Sequence, residues 1–234
     1  QVDASIGGKT GVNSKNGKNL IGSFHQPKLV ITELKFLESL TRRDLVCGFA
    51  EILKHSLIHD KKFFNWIKKN TKKMIEELNF DSLKFAIVKS CKIKLSFVSG
   101  DEKENDKRMI LNFGHTFAHA IEAASNFTRK INHGEAVLIG MYLATKLSFI
   151  KNICSYSTIN DIENFYFENR LPVKLEKYFP KKKLDKIIKY MSNDKKNNDD
   201  KINFILLRKI GKTSKPGEFK LTIREVKKIF KEII

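Results

Sequence analysis

The stretch Leu111-Asn112-Phe113-Gly114-His115-Thr116-Phe117-Ala118-His119-Ala120-Ile121-Glu122 decides the fold. Wound as a helix at about 100° per residue, it sorts into two faces. His115, His119 and Glu122 share one face, while Phe113, Phe117, Ala120 and Ala124 share the other, which turns to a core. Apolar residues recur at the same three- and four-residue intervals through most of residues 28–171, and no proline interrupts them: prolines stand only at 27, 172, 180 and 216. Proline breaks an interior helical turn, so this long proline-free periodicity predicts a mainly α-helical domain.

Further along the chain, Leu184, Ile187, Ile188 and Met191 predict another helix, and the polar run from Ser192 to Lys201 a surface loop. Ile202 to Ile210 reads as a strand that turns through Gly211 to Gly217 into a second short one, a small late β-hairpin. Thr222 with Glu225 forms a capping box for a last helix carrying Val226, Ile229, Phe230 and Ile233. Ahead of the helical body, Gly7 to Gly22 is rich in Gly, Asn and Lys and reads as a loop that approaches a ligand with its backbone and lysines.

The chain has 234 residues with 45 Lys+Arg against 26 Asp+Glu, a net charge of +19. Nucleic acid, an anionic membrane and acidic metabolites all suit that balance. Only seven of the basic residues are Arg, and the lysine excess comes with Asn, Ile and Phe along the whole chain, so the charge reads as compositional drift rather than a phosphate-binding stripe. No nucleic-acid partner is expected. Ala136 to Ile150 is interrupted by Thr145 and Lys146 and falls short of the about 20 apolar residues a bilayer needs, so no membrane partner is expected either. Cys47, Cys91 and Cys154 make neither a disulfide framework nor a CxxC clip, which fits a reducing, cytoplasmic location. The chain opens on Gln1 and runs at once into a motif, so an N-terminal part of the natural protein is expected outside these residues.

Gly7-Gly8-Lys9-Thr10 is not a P-loop, because Asp3 stands where that motif needs its first glycine. Asp3, Lys9, Lys18 and Asn19 can still surround a phosphorylated or polyhydroxylated ligand, although in so lysine-rich a chain solvated lysines are the favoured explanation of this stretch taken alone. Two His at i and i+4 are a common way for a helix to present imidazoles to a metal. A third, His133, lies in Asn132-His133-Gly134-Glu135, where Asn132 and Glu135 read as a helix N-cap and its N3 acid. Two antiparallel helices can thus bring His115 or His119 near His133. Glu51, in Gly48-Phe49-Ala50-Glu51-Ile52-Leu53-Lys54-His55, is the candidate carboxylate, since two His and a Glu leave a coordination position open for substrate. The plainer alternative for Glu51 is a surface pair with Lys54 or His55 on its own helix. His25, His55 and His59 read as ordinary polar or packing histidines.

Taken together these segments resemble the 3-dehydroquinate synthase family. The matching strings are Gln1 to Asn13, Gly17-Lys18-Asn19, Gly22 to Pro27, Ala50 to Lys54, Asp101 to Glu104 with Arg108, Leu111 to Glu122 and His133 to Ala136, with a weaker Asp194-Lys195-Lys196. They follow one another in the family's order over about residues 1–211. The resemblance implies residues 1–27 as a remnant of a nucleotide-binding domain with its inter-domain loop, and residues 28–234 as a helical metal- and substrate-binding domain. It implies Zn²⁺ or Co²⁺ on Glu51, His115 and His133. It places His119, Lys54, Lys94, Arg108, Asn112 and Asp3 at the substrate, with Glu104 and Lys195 as further substrate contacts. NAD is implied at Lys9, Lys18, Asn19 and Phe36, Leu37, Glu38 and Ser39, with Lys9 also near the reacting centre. The implied reaction converts 3-deoxy-D-arabino-heptulosonate 7-phosphate, a small sugar-acid phosphate, to 3-dehydroquinate and phosphate in aromatic amino-acid biosynthesis. A homodimer is implied for the full-length protein. Asp106 and Ala118 stand where the family has glycine, and Asp106 bears on the turn that aims Arg108. A related sugar phosphate cyclase, a metal-dependent polyol dehydrogenase, an inactive remnant and a basic binding module stay open, with Lys94, Arg108 and Asn112 favouring the synthase.

Overall fold

The computed structural model describes residues 1–14, 17–126, 128, 130–179, 184–192 and 201–233. The helical body is built from α1 (Arg42–His59), α2 (Lys61–Ile75), α3 (Phe80–Val98), α4 (His115–Ala124), α5 (His133–Ile150), α6 (Tyr156–Glu168), α7 (Leu184–Ser192) and α8 (Ile223–Ile233). Short polar side chains start most of these helices. Thr41, Asp60, Asn79 and Ser155 each accept a backbone N–H of the first turn of α1, α2, α3 and α6. Asn132 and Glu135 complete the expected capping box on α5, and Thr222 with Glu225 the one on α8.

α5 is the axle. Every residue from Gly134 to Thr145 is buried; apart from Glu135 the sequence there is apolar or small all round, the pattern of a helix enclosed by others. It packs on α1, α4, α6 and α8. No helix of the described residues is long and apolar enough to cross a membrane. The closest approach is at α4, where a Cβ on Gly140 would lie 2.2 Å from the Gly114 carbonyl oxygen, and Gly114 itself holds a left-handed φ of 79°. Gly140→Ala should therefore force the two helices apart and cost about 1–3 kcal/mol. A thermal melt reads this, and an unchanged Tm would show that the backbones are not in contact.

Three sequence expectations need correction. The quoted stretch is not one helix: a 3₁₀ turn over Lys107–Asn112 and the left-handed Gly114 precede α4, which starts at His115. The core face is nevertheless as expected, with Phe113, Phe117, Ala120 and Ala124 all buried. The glycine- and lysine-rich N-terminal stretch is not all loop, since β1 (Val12–Ser14) pairs antiparallel with β2 (Gly17–Ile21). The late strand is broken into β3 (Lys201–Phe204) and β4 (Leu207–Lys209). β3 pairs with β6 (Phe219–Thr222) and β4 with β5 (Lys212–Thr213), giving two nested antiparallel pairs. Hydroxyls cause the break: Ser214 Oγ accepts the Leu206 N–H and Ser148 Oγ of α5 accepts the Leu207 N–H, pulling the chain off a single ladder.

Candidate metal and substrate site

α1 carries Glu51 and Lys54 into the interior. Residues 49–58 of this helix are all buried, polar ones included, so the surface pair considered for Glu51 is instead a buried one, with Lys54 Nζ 2.5 Å from Glu51 Oε2. The other oxygen, Oε1, lies 3.7 Å from His115 Nε2 and 3.6 Å from His133 Nε2. α4 delivers His115 from its first residue and α5 delivers His133 from its first. One ligand atom from each of Glu51, His115 and His133 lies within 4.8 Å of the other two.

Each imidazole is oriented from behind. His133 Nδ1 is 3.2 Å from Glu122 Oε1, and His115 Nδ1 is 3.3 Å from the Phe113 carbonyl oxygen. These acceptors favour a proton on Nδ1 and leave Nε2 for a ligand. Burial, with Lys54 beside it, holds His115 well below the usual histidine range and so neutral. Burial pushes Glu51 upward, but Lys54 and the His133 and His115 rings outweigh it and keep the carboxyl well below its usual value. A carboxylate thus faces the lone pair of a neutral imidazole, and Glu51 Oε1 is buried without a hydrogen bond. Two acceptors turned on each other, one of them on a fully buried carboxylate, call for a cation between them, and two His with one Glu suit zinc or cobalt with a position left open.

The predicted substrate residues form two groups. Lys94 Nζ of α3 is 2.8 Å from Asp3 Oδ1 and also donates to the Asp3 carbonyl oxygen. Burial lowers the Lys94 ammonium, while burial and Glu51 raise Asp3 but Lys54 and Lys94 hold it below its ordinary value. Asp3, Lys94, Lys54 and Glu51 are therefore one electrostatic network with the histidines. His119 adjoins it, its ring 5.3 Å from that of His115 and edge-on. The second group lies one loop away. Lys9 pairs with Glu104, whose Oε1 accepts from Asn112 Nδ2 at 2.7 Å. Arg108 is buried and spans the two loops, donating to the Gly7 carbonyl oxygen at 2.7 Å and to that of Glu102. Gly7, at φ 101°, leaves room for this guanidinium, since a Cβ there would sit 2.4 Å from Arg108 Nη2.

The turn that aims Arg108 does not depend on glycine at 106. Asp101 accepts the N–H groups of Asn105, Asp106 and Arg108 and fixes the turn from outside. That role was missed in the sequence, although an Asp within a few residues of a turn is its usual signal. The cofactor-side residues are spread over the surface. Phe36 is 72% exposed on a 3₁₀ turn over Leu34–Ser39, Glu38 and Ser39 are exposed, and Leu37 is turned into the core. Lys18 and Asn19 belong to β2. Lys195 lies outside the described residues.

His55 is a packing histidine with a polar role. It is fully buried beside Glu51, bonded through Nδ1 to Ser90 Oγ of α3, and its Nε2 has no partner. Asp3, Glu51 and His55 also bring ligand atoms within 4.8 Å of one another, but there the Lys94 ammonium already occupies the Asp3 carboxylate and opposes a cation. Burial pushes His55 from 6.5 down to about 3. Between those values the unfolded chain takes up a proton that the folded chain refuses, so stability is lost as pH falls from 6.5 towards 3. At about 1.4 kcal/mol per unit, the metal-free protein should lose on the order of a few kcal/mol over this window. Urea titrations at several pH values check it: His55→Gln should flatten the slope, and an equally steep slope in that variant would contradict the assignment.

A family model described as 3-dehydroquinate synthase C-terminal matches residues 48–197, and one described as 3-dehydroquinate synthase N-terminal matches residues 1–47. The 3-dehydroquinate synthase of Pelagibacter ubique is 52% identical over 211 residues, covering 90% of this chain and 57% of that protein. That of a Nitratiruptor species is 44% identical over 211 residues, covering 90% of this chain and 58% of that protein. The chain thus spans somewhat more than half the length of these curated relatives. Among solved structures, ValA (2-epi-5-epi-valiolone synthase) from Streptomyces hygroscopicus subsp. jinggangensis 5008, with NAD⁺ and Zn²⁺ bound, superposes with a TM-score of 0.85 at 26% identity, over 99% of this chain and 62% of that one. A 2-deoxy-scyllo-inosose synthase complexed with carbaglucose-6-phosphate, NAD⁺ and Co²⁺ gives 0.77 at 25% identity, over 99% of this chain and 64% of that one.

Proposed function

Because this chain belongs to the 3-dehydroquinate synthase family, we propose that it supplies the metal and substrate site of an enzyme that converts 3-deoxy-D-arabino-heptulosonate 7-phosphate to 3-dehydroquinate and phosphate. The observation that carries this reading is the meeting of Glu51, His115 and His133 from three helices, with an unpartnered carboxylate oxygen at the centre. Relatives named for this activity reach 52% identity, against 26% for the valiolone synthase, which favours dehydroquinate formation over another sugar phosphate cyclisation.

Glu51, His115 and His133 hold Zn²⁺ or Co²⁺, which when bound polarises substrate hydroxyls as a Lewis acid. Lys54 and Lys94 face the same network and neutralise substrate anions, and their carboxylate partners Glu51 and Asp3 keep them oriented in the absence of substrate. His119, beside His115, lies where it can hold or pass a proton at a substrate oxygen. Lys9, Glu104 and Asn112 form the rim, and Arg108 fastens its two loops. Engagement of a phosphate or carboxylate by Arg108 requires exchange of its carbonyl partners for the anion. Lys195 is assigned as a further substrate contact.

For NAD the residues present offer an edge rather than a cradle. Lys9, Lys18, Asn19 and the turn Phe36 to Ser39 are assigned to its periphery. The sequence of residues 1–234 holds no G-x-G-x-x-G string, the glycine-rich turn that usually seats a dinucleotide pyrophosphate. The described sequence divides into a nucleotide-domain remnant over residues 1–27 and the helical domain over 28–234. The complete enzyme acts in the cytoplasm, in aromatic amino-acid biosynthesis, as a homodimer without nucleic-acid or membrane partners. Given the heptulosonate phosphate, NAD and Zn²⁺, the full-length protein should yield phosphate and dehydroquinate in equal amounts, lose both on chelation and regain them with Zn²⁺ or Co²⁺. Phosphate release without dehydroquinate, or turnover indifferent to chelation, would overturn the assignment. Residues 1–234 alone should show no sustained phosphate release in the same assay, and turnover near the full-length rate would show that the cofactor site lies within them.

A further inference from the structure

The contact between α1 and the start of α5 is in register, residue for residue. Arg43, Cys47 and Glu51 recur at four-residue intervals and so form one stripe along α1. Down that stripe, Arg43 grips Glu135, Cys47 Sγ accepts the Gly134 N–H at 3.2 Å, and Glu51 faces His133. Three successive residues at the N-terminus of α5 are thus each met by one turn of α1. The grip at the outer end is bidentate: Arg43 Nε and Nη2 lie 2.9 and 2.5 Å from the two oxygens of Glu135. Nη2 also donates to the Lys130 carbonyl oxygen, so the same guanidinium holds the chain that leads into α5. Glu135 is itself buried and accepts the Asn132 N–H at 2.9 Å, closing the cap from which His133 emerges. At Gly134 the backbones touch, for a Cβ there would fall 2.3 Å from Cys47 Cα. The Arg43–Glu135 fork thus borders the start of α5, where His133 stands two residues from Glu135.

We infer that Arg43 is a positioning residue for the metal site, acting through Glu135 to set where His133 meets Glu51. The inference rests on the metal reading proposed above and adds to it a residue outside the site. A direct hydrogen-bond partner behind a ligand, as Glu122 is to His133, is worth about 10–100-fold in metal affinity, and Arg43 acts one step further out. A fork matched to a carboxylate is not reproduced by the single ammonium of lysine.

The test uses the full-length protein, with Co²⁺ as both ligand and reporter. Co²⁺ affinity by competition with a chelator should fall by about 10-fold, the lower end of the range for a direct partner, in Arg43→Met and in Glu135→Gln, with helical circular dichroism retained and the visible Co²⁺ spectrum altered. Arg43→Lys should restore only part of the affinity. The double variant should lose no more than the worse single one, because both remove the same fork. Unchanged Co²⁺ affinity and spectrum in a folded Arg43→Met, whatever its Tm, would overturn the inference and leave the pair a fastening between helices. Should Arg43→Met not fold, Arg43→Lys decides by the same two readings. Glu51→Gln separates the two levels: if it too binds Co²⁺ like the wild type, the metal reading fails rather than the role of Arg43.

Discussion

Glu51→Gln in the full-length protein is expected to lose its divalent metal and at least about a thousandfold in kcat/KM, equivalent to about 4 kcal/mol of transition-state stabilisation. The amide keeps the size of the side chain but carries no charge to oppose Lys54 or to bind a cation. Lys54 is left as a buried ammonium 2.5 Å from a neutral group, and removing one partner of a buried pair costs about 3–5 kcal/mol. The two effects can be told apart, since metal content is measured directly and stability by denaturant titration. Full metal occupancy in a folded Glu51→Gln would contradict the proposed ligand set.

Arg108→Ala should weaken binding of a phosphonate analogue of the substrate by on the order of a hundredfold in the full-length protein, through loss of a charge-assisted contact of about 1.5–3 kcal/mol. NAD binding should change little. The reason is architectural as well as electrostatic: Arg108 ties the Gly7 carbonyl to that of Glu102 and so fixes the loops that carry Lys9 and Glu104. The two contributions separate in Arg108→Lys, which keeps the charge and loses the bridging fork. Isothermal titration with analogue and with NAD reads both affinities, and an equal loss of the two would sink the assignment of Arg108 to the substrate side.

The helical body was legible because its signal is redundant: a long proline-free periodicity and capping residues agree with one another, as at Asn132 and Glu135. The late strand was legible as extended chain but not as two strands, since the hydroxyls of Ser148 and Ser214 that divide it come from residues distant in sequence or across a turn. The hairpin of β1 and β2 was hidden in a stretch whose composition signals loop, because pairing rather than propensity makes it. At the site, spacing alone put Glu122 on the face of the histidines, and the structure places it behind His133. Spacing could not distinguish a surface Glu51–Lys54 pair from a buried one, since that depends on what α4 and α5 bring against α1. Arg43 carried no signal at all. Its partner is 92 residues away and its role follows only from the register of two helices.

On the proposed ligand set, one divalent cation sits among Glu51, His115 and His133. Crystals of the full-length protein grown with Zn²⁺ and measured on either side of the zinc absorption edge would locate it directly. A single anomalous peak is expected at about 2.0–2.2 Å from a Glu51 oxygen and from the Nε2 atoms of His115 and His133. A peak instead among Asp3, Glu51 and His55, the other cluster whose ligand atoms lie within 4.8 Å of one another, would contradict it.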